Sequence, residues 1–214
     1  MNTTDLVVVL GTVLVAQELV HYLPQPLKIR RKGSIAGVSP SAVTLIAVMS
    51  LVWLGFAVWE QAWAAVASGT VVAALAGWTV VEVARHGGNV GRMIRVGAFS
   101  STVVAAVTLS SWAAGLESVG LSALLLAATA AHGIPRLVVG LTAPSLRGLS
   151  ALYLSLNVCD GLLYGLYGFA ADIPTYTIFA VMQVATSLPV LLRWLARPDL
   201  RDDTPRPRLS LVPS

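Results

Sequence analysis

Three polar residues lie one helical turn apart within an apolar stretch late in the sequence. Asn157, Asp160 and Tyr164 follow spacings of three and four residues, which place them on one face of a helix. A carboxyl group in the middle of a membrane-spanning segment costs about 2.5–3.5 kcal/mol on insertion scales, so it usually faces a cavity or a polar partner. This stripe predicts a binding site for a solute that carries hydroxyl or amino groups. A buried hydrogen-bond network that ties helices together is the alternative.

A second set of residues has the chemistry of a proton relay. Glu18 and His21 lie one turn apart in the first apolar stretch of the chain, and His132 lies in the fifth. Histidine changes charge near neutral pH, and a carboxylate–histidine pair inside a membrane can pass protons. The alternative is that these histidines cap helix ends at the membrane surface. The three histidines and the single Cys159 form no metal-ligand pattern, so we expect no bound metal.

The composition is that of a protein whose solvent is lipid. Hydrophobic residues make up 56% of the chain and charged residues 11%, whereas a soluble domain has roughly 25% charged residues. The apolar residues form long runs without the alternation typical of a β-barrel, so we expect membrane-spanning helices. The sequence contains no Gly-rich phosphate loop, zinc-protease motif or nucleophile elbow, and we therefore expect neither an enzyme nor a cofactor.

Seven apolar stretches are long enough to cross a bilayer. They run from Leu6 to Leu23, Ser39 to Val58, Ala62 to Val83, Val96 to Ala114, Leu121 to Leu141, Leu149 to Phe169 and Pro174 to Leu192. The first stretch lacks a basic segment before it and a small-residue cleavage site after it, and it carries Gln17 and Glu18. We expect it to be a retained helix and not a cleaved signal peptide.

The basic residues are distributed on one side of these stretches. All 14 Lys and Arg residues flank or follow an odd-numbered stretch, whereas Asp5, Glu60, Glu117 and Asp172 mark the other side. The positive-inside rule then places the N-terminus outside and the C-terminus in the cytoplasm of a protein in the plasma (inner) membrane. The expected partners are the lipid bilayer and a small-molecule solute, and we expect no nucleic acid despite the calculated pI of 9.6.

The two halves of the chain repeat at an offset of 111 residues. His-Tyr-Leu-Pro-Gln at 21–25 aligns with His-Gly-Ile-Pro-Arg at 132–136, and Trp53 aligns with Tyr164. The repeat predicts that these two aromatic residues face each other across a pseudo-twofold axis. They could sandwich a flat solute, and core packing is the alternative.

The repeat also divides the chain into parts. Residues 1–86 form a first three-helix bundle, residues 87–117 a linker region with helix 4, and residues 118–196 a second bundle, followed by a disordered cytoplasmic tail at 197–214. The predicted fold is therefore an all-α membrane protein with seven transmembrane helices, arranged as two parallel three-helix bundles plus a linker helix (3+1+3).

The segment that follows the first stretch resembles a known signature. Pro-Gln, basic residues and Gly-x-Ser follow one another there, as Pro24, Gln25, Lys28, Arg31, Lys32, Gly37 and Ser39. This pattern resembles the PQ-loop superfamily, and within it the SWEET and SemiSWEET (MtN3-like) sugar transporters. Tyr-Gly-Leu-Tyr-Gly at 164–168 is similar to an aromatic motif of that family. The resemblance implies alternating access around a central pathway, with Pro24 and Pro135 as hinges; otherwise these prolines simply end their helices.

Departures from the family pattern leave the solute open. The family places an Asn beside the substrate in helices three and seven, whereas this sequence has Ser68 and Phe179 near those positions, and Arg136 replaces the second Gln. We expect a SWEET-like alternating-access transporter for a small polar solute, with a sugar as one candidate. The alternatives are a nicotinamide-riboside-like vitamin carrier, a proton-coupled amino-acid carrier and a KDEL-receptor-like receptor.

Overall fold

The part of the chain that the structure describes is entirely helical. The computed structural model describes residues 3–35, 38–142, 146 and 151–197. The helices are α1 (Thr3–Tyr22), α2 (Pro24–Lys32), α3 (Pro40–Trp59), α4 (Trp63–Arg85), α5 (Val90–Ala113), α6 (Glu117–Thr142), α7 (Ala151–Ala170) and α8 (Pro174–Ala196). The all-α prediction is confirmed. Gly37, residues 147–150 and the predicted tail from 198 onward lie outside the described residues.

Each predicted stretch overlaps one of these helices, but α2 was not predicted. The basic segment after Tyr22 lies outside the seven predicted stretches, but most of it is helical. Leu23 keeps helical angles (φ −62°, ψ −37°), and its N–H still donates to the carbonyl of Leu19 over 3.0 Å. Pro24 then starts a new helix at the one position where its missing N–H costs nothing. The chain therefore continues from α1 into α2 with only a break in hydrogen bonding.

Helix α2 is held by burial of one face. Ile29 is completely buried against Val83 of α4 and Met93 of α5. The four basic residues Lys28, Arg30, Arg31 and Lys32 are exposed. The helix ends at Gly33, whose left-handed conformation (φ 58°) is favourable for glycine. The basic residues thus form the surface of a short amphipathic helix.

The distribution of polar and apolar side chains is the reverse of that in a soluble protein. Large apolar residues such as Phe99 (73% exposed) and Leu152 (65%) cover the outside, whereas Glu18, Ser68 and Asp160 are buried. This arrangement would be unfavourable in water and is expected in lipid. Within the described part of the chain, five segments are long and apolar enough to cross a membrane, namely Asp5–Lys32, Pro40–Trp59, Trp63–Arg85, Val90–Ala113 and Pro174–Ala196. The protein is a multi-pass membrane protein.

The helices pack in an order that occurs twice. Helix α4 packs against both α1 and α3, and α8 packs in the same way against both α6 and α7. The two groups meet where α1 contacts α7 and where α3 contacts α6, and α5 packs against α3 and α6. If α1 is exchanged with α6 and α3 with α7, the α1–α7 contact becomes the α3–α6 contact. The contacts are therefore those expected from a pseudo-twofold relation.

Helices α7 and α8 approach closely because glycines line the face of α7. A Cβ atom added at Gly168 would lie 2.7 Å from Cβ of Tyr176 and 3.0 Å from the carbonyl oxygen of Ile173. One added at Gly161 would lie 2.8 Å from Val184. Small residues at such contacts are a common means of bringing membrane helices together. This approach brings the side chains of α8 next to the polar stripe of α7.

Candidate functional site

A hydrogen-bond network joins three helices in the interior of the protein. The hydroxyl of Tyr164 on α7 donates to Oε1 of Glu18 on α1 over 3.1 Å. The same hydroxyl lies 2.9 Å from Oγ of Ser68 on α4. Glu18 and Ser68 are 3% and 0% exposed, so the network is shielded from the surroundings of the protein. It lies at the contact between the two groups of helices.

Asp160 adds a second carboxyl group to this network. It lies one turn before Tyr164, is 5% exposed and interacts directly with the carboxyl group of Glu18. A hydrogen bond between two carboxyl groups requires that one of them carries a proton. Among the described residues, no other group donates to Oε2 of Glu18 or to Oδ1 of Asp160. Apart from a proton that the two carboxyl groups share, the site therefore has two acceptor atoms to which none of the described residues donates.

The amide of Asn157 is held in a separate set of hydrogen bonds. Its Nδ2 donates to the carbonyl of Tyr153 over 2.8 Å, and its Oδ1 accepts from Nε2 of Gln183 over 2.8 Å. Nε2 of His21 lies 3.5 Å from Nδ2 of Asn157. Asn157 therefore lies on the same stripe as Asp160, as the spacing predicted, but its side chain also connects α7 to α8.

Aromatic rings cover one side of the network. Trp53 stacks on Tyr176 with ring centroids 5.6 Å apart, and Phe179 makes an edge contact with Trp53 with ring centroids 4.9 Å apart. Tyr164 lies 5.6 Å from Tyr176 and 5.5 Å from Phe179. The structure therefore brings Trp53 and Tyr164 into one cluster, in which both pack on Tyr176 and Phe179. The two rings predicted to face each other are thus bridged by a pair of α8 rings.

Two of the residues predicted for a proton relay, Glu18 and His21, have different neighbours in the structure. Glu18 is hydrogen-bonded to Tyr164, whereas the ring of His21 packs on Tyr22 and Tyr153 with centroids 4.7 Å and 5.6 Å apart. The nearest carboxyl neighbour of Glu18 is thus Asp160 of the other helix group. The side chains of His132 and Arg136 lie outside the described residues.

The two predicted hinge prolines occupy different positions in their helices. Pro24 begins α2 immediately after α1. Pro135, whose side chain lies outside the described residues, falls within α6, which continues to Thr142. Pro135 therefore does not end its helix. A further proline, Pro189, lies inside α8 and was not singled out from the sequence.

Four residues of the site were not predicted as part of it. They are Ser68, Tyr176, Phe179 and Gln183. Ser68 and Phe179 were noted only as positions that lack the family's Asn, although the repeat offset makes them equivalent. Gln183 could have been found as a lone polar residue in an apolar stretch, whereas Tyr176 carries no such signal because its repeat equivalent is Ala65.

A comparison with protein families identifies part of the chain. Residues 6–65 match the PQ loop repeat family, a region that covers α1, α2, α3 and the start of α4. The chain thus carries a PQ-loop repeat domain, which confirms that part of the resemblance, and this family includes membrane transporters and receptors. A search of curated proteins gave no match.

Proposed function

We propose that the protein is a SWEET-like transporter that moves a small polar solute across the plasma membrane by alternating access. In this proposal α6 and α7, which are 26 and 20 residues long, also cross the membrane. The chain then has seven spans in a 3+1+3 arrangement, with the N-terminus outside. The PQ-loop repeat at residues 6–65 and the repeated packing order of the helices support this arrangement.

The buried polar cluster between the two helix groups is the observation that carries the proposal. Two carboxyl groups and a phenol at this depth are costly to insert into a membrane. A scaffold without a solute has no need of them, because small and apolar residues pack membrane helices adequately. Ionisable residues in this setting commonly mark the path of a substrate or ion. Glu18, Asp160 and Tyr164 are therefore proposed to bind the solute, with Trp53 and Asn157 at the edges of the site.

Movement of one helix group against the other would open the site. In the present conformation Glu18 and Asp160 are almost completely buried, so a solute reaches them only after helices separate. The contacts between α1 and α7 and between α3 and α6 would break and re-form in such a cycle. Pro24 is proposed as a hinge because the helical hydrogen bonds are already interrupted there. Pro135 is its proposed equivalent in α6.

Coupling to protons is a second candidate property. The carboxyl groups of Glu18 and Asp160 interact directly, and a carboxyl pair in one site can hold and release a proton. This pair, and not the predicted combination of Glu18 with His21, supports a proton-coupled carrier. A receptor for an acidic peptide is less well supported, because the basic residues of the described helices lie in α2 or near helix ends.

Uptake into liposomes tests the proposal. Purified protein would be reconstituted and supplied with labelled sugars, amino acids and vitamins, with and without a pH gradient. We expect saturable uptake of one class that Trp53→Ala reduces and Glu82→Gln leaves unchanged, since Glu82 is buried elsewhere, against Trp78. Stimulation of uptake by the pH gradient would indicate proton coupling. If folded protein takes up nothing beyond protein-free liposomes, transport is the wrong function.

A further inference from the structure

The proposed solute site is acidic, and among the described side chains no basic group forms an ion pair with its carboxyl groups. Two ion pairs between described residues join Glu82 to Arg85 and to His86, at the other end of α4 from Ser68. Neither Glu18 nor Asp160 is paired with Lys, Arg or His there. A buried charge is usually paired or fully hydrogen-bonded, because leaving it alone costs several kcal/mol. The site is therefore incomplete in a way that a ligand can correct.

The two carboxyl groups of the site lack hydrogen-bond donors. Oε1 of Glu18 already accepts from Tyr164, but Oε2 of Glu18 and Oδ1 of Asp160 accept from no N–H or O–H of the described residues other than a proton that the two carboxyl groups share. Both atoms are buried, and they belong to neighbouring carboxyl groups. A single group with several N–H bonds and a positive charge can donate to both. A neutral hydroxyl can supply a hydrogen bond but not the charge.

The rings beside the carboxyl pair provide an independent indication of the same ligand. Tyr164 connects the two features, because its hydroxyl binds Glu18 while its ring packs on Phe179 and Tyr176. Faces of aromatic rings attract cations and also bury apolar groups. Carboxyl groups beside aromatic rings form a suitable environment for an amine that carries an apolar body.

We propose that the transported solute is an organic cation. Its protonated amine would donate to Glu18 and Asp160, and its apolar or aromatic body would lie against Tyr164 and Phe179. This inference rests on the proposed function, because it takes the buried cluster to be the transport site. It differs from a sugar site, in which neutral hydroxyl groups would leave the charge of the buried carboxyl pair without a counter-charge.

Binding of matched amines and alcohols tests the charge requirement. The probes are 2-phenylethylamine and 2-phenylethanol, which share a shape and differ in charge, and binding is measured by calorimetry on the full-length protein in nanodiscs. We expect the amine to bind about tenfold or more tightly than the alcohol, because one buried charged partner left unpaired is strongly unfavourable. Equal affinities for the two probes would overturn the inference.

Variants of the site provide a second test of the cation site. Glu18→Gln and Asp160→Asn should each weaken amine binding by about tenfold or more, since each removes one charge. Glu82→Gln, which changes a buried carboxyl outside the site, should leave it unchanged. If Asp160→Asn is not recovered as folded protein, Phe179→Leu serves instead, because it keeps both carboxyl groups and removes one ring. If the single variants Phe179→Leu and Glu18→Gln both bind the amine with wild-type affinity, the proposed site is contradicted.

The outcomes separate the inference from the proposed function. If the amine binds and the variants weaken it but no flux occurs in liposomes, the cation site stands and transport fails. If a neutral solute is transported and neither carboxyl variant affects it, transport stands and the cation site fails. If amines do not bind while a pH gradient drives uptake of a neutral solute, the carboxyl pair holds a proton and the cation site is likewise refuted.

Discussion

Tyr164 donates a hydrogen bond to Glu18 over 3.1 Å, although the two residues are 146 positions apart in the sequence. The bond joins α7 to α1 and thereby one helix group to the other. Ser68 of α4 lies 2.9 Å from the same hydroxyl, so a single phenol connects three helices. A cluster of this kind is broken and re-formed when the two groups move, which makes its strength relevant to both stability and function.

Removal of the Tyr164 hydroxyl should destabilise the protein. Tyr164→Phe leaves Glu18 and Ser68 without their shared partner, and an unsatisfied buried polar group costs about 1–3 kcal/mol. We expect a lower midpoint of thermal unfolding for the purified protein in detergent. Tyr153→Phe is the control, because it removes the same atom from a residue that is 39% exposed. Equal effects of the two changes would show that the Tyr164 bond contributes nothing specific.

Addition of one methyl group at Gly168 should separate α7 from α8. A Cβ atom there would lie 2.9 Å from the backbone nitrogen of Thr177 and 3.0 Å from the carbonyl oxygen of Ile173, and backbone atoms yield little. Gly168→Ala should therefore cost about 1–3 kcal/mol of unfolding free energy. Gly55→Ala is the control, since no atom lies within 4 Å of its added Cβ, and it should be neutral or stabilising by up to about 1 kcal/mol. A lower midpoint of thermal unfolding for Gly55→Ala than for Gly168→Ala would contradict the packing of α7 on α8.

The helices were predictable because each depends mainly on its own residues. A span needs a long apolar run, and hydropathy reveals such runs directly. Helix α2 was missed because its four basic residues lower the hydropathy and the predicted apolar stretch ended at Leu23, immediately before Pro24. Its stability comes from the contact of Ile29 with Val83, which are far apart in the sequence.

The composition of the site could be predicted only in part for a similar reason. The helical period places Asp160 and Tyr164 on one face of α7, and both lie beside Glu18 in the structure. The period says nothing about which face of α1 turns toward α7. Tyr176 and Gln183 reach the site because glycines allow α8 to approach α7, and the effect of such glycines depends on a contact that the sequence does not reveal.

The distribution of basic residues makes a prediction about membrane topology. On a background of Cys159→Ala, a single cysteine would be introduced at Leu116, between α5 and α6, or at Arg30 of α2; both residues are exposed. We expect a membrane-impermeant maleimide to label Leu116→Cys on intact cells and Arg30→Cys only after permeabilisation, because basic segments remain in the cytoplasm. The reverse pattern would invert the topology, and labelling of both sites on intact cells would exclude an odd number of spans between Arg30 and Leu116.

The junction between α1 and α2 makes a prediction about the rate of transport. Pro24 lacks the N–H that would otherwise donate to the carbonyl of Val20, so Pro24→Ala should restore a hydrogen bond and stiffen the junction. Pro24 lies more than one helical turn beyond Glu18 and contributes no hydrogen-bonding group to the network of Glu18 and Asp160. If Pro24 is a hinge, Pro24→Ala should lower the maximal uptake rate in liposomes, leave KM unchanged and leave or raise the thermal stability.

Pro40→Ala is the matched control for this prediction. Pro40 also occupies the first position of a helix, but a segment outside any helix precedes it, and Ser39 caps α3 by accepting from the N–H of Ala42 over 3.4 Å. A proline at that position only starts its helix, so its replacement should affect neither the maximal rate nor KM. Wild-type transport by both variants would mean that Pro24, like Pro40, only starts a helix. If the maximal uptake rate falls in Pro24→Ala but not in Pro40→Ala, Pro24 has a role in the movement of α1 relative to α2.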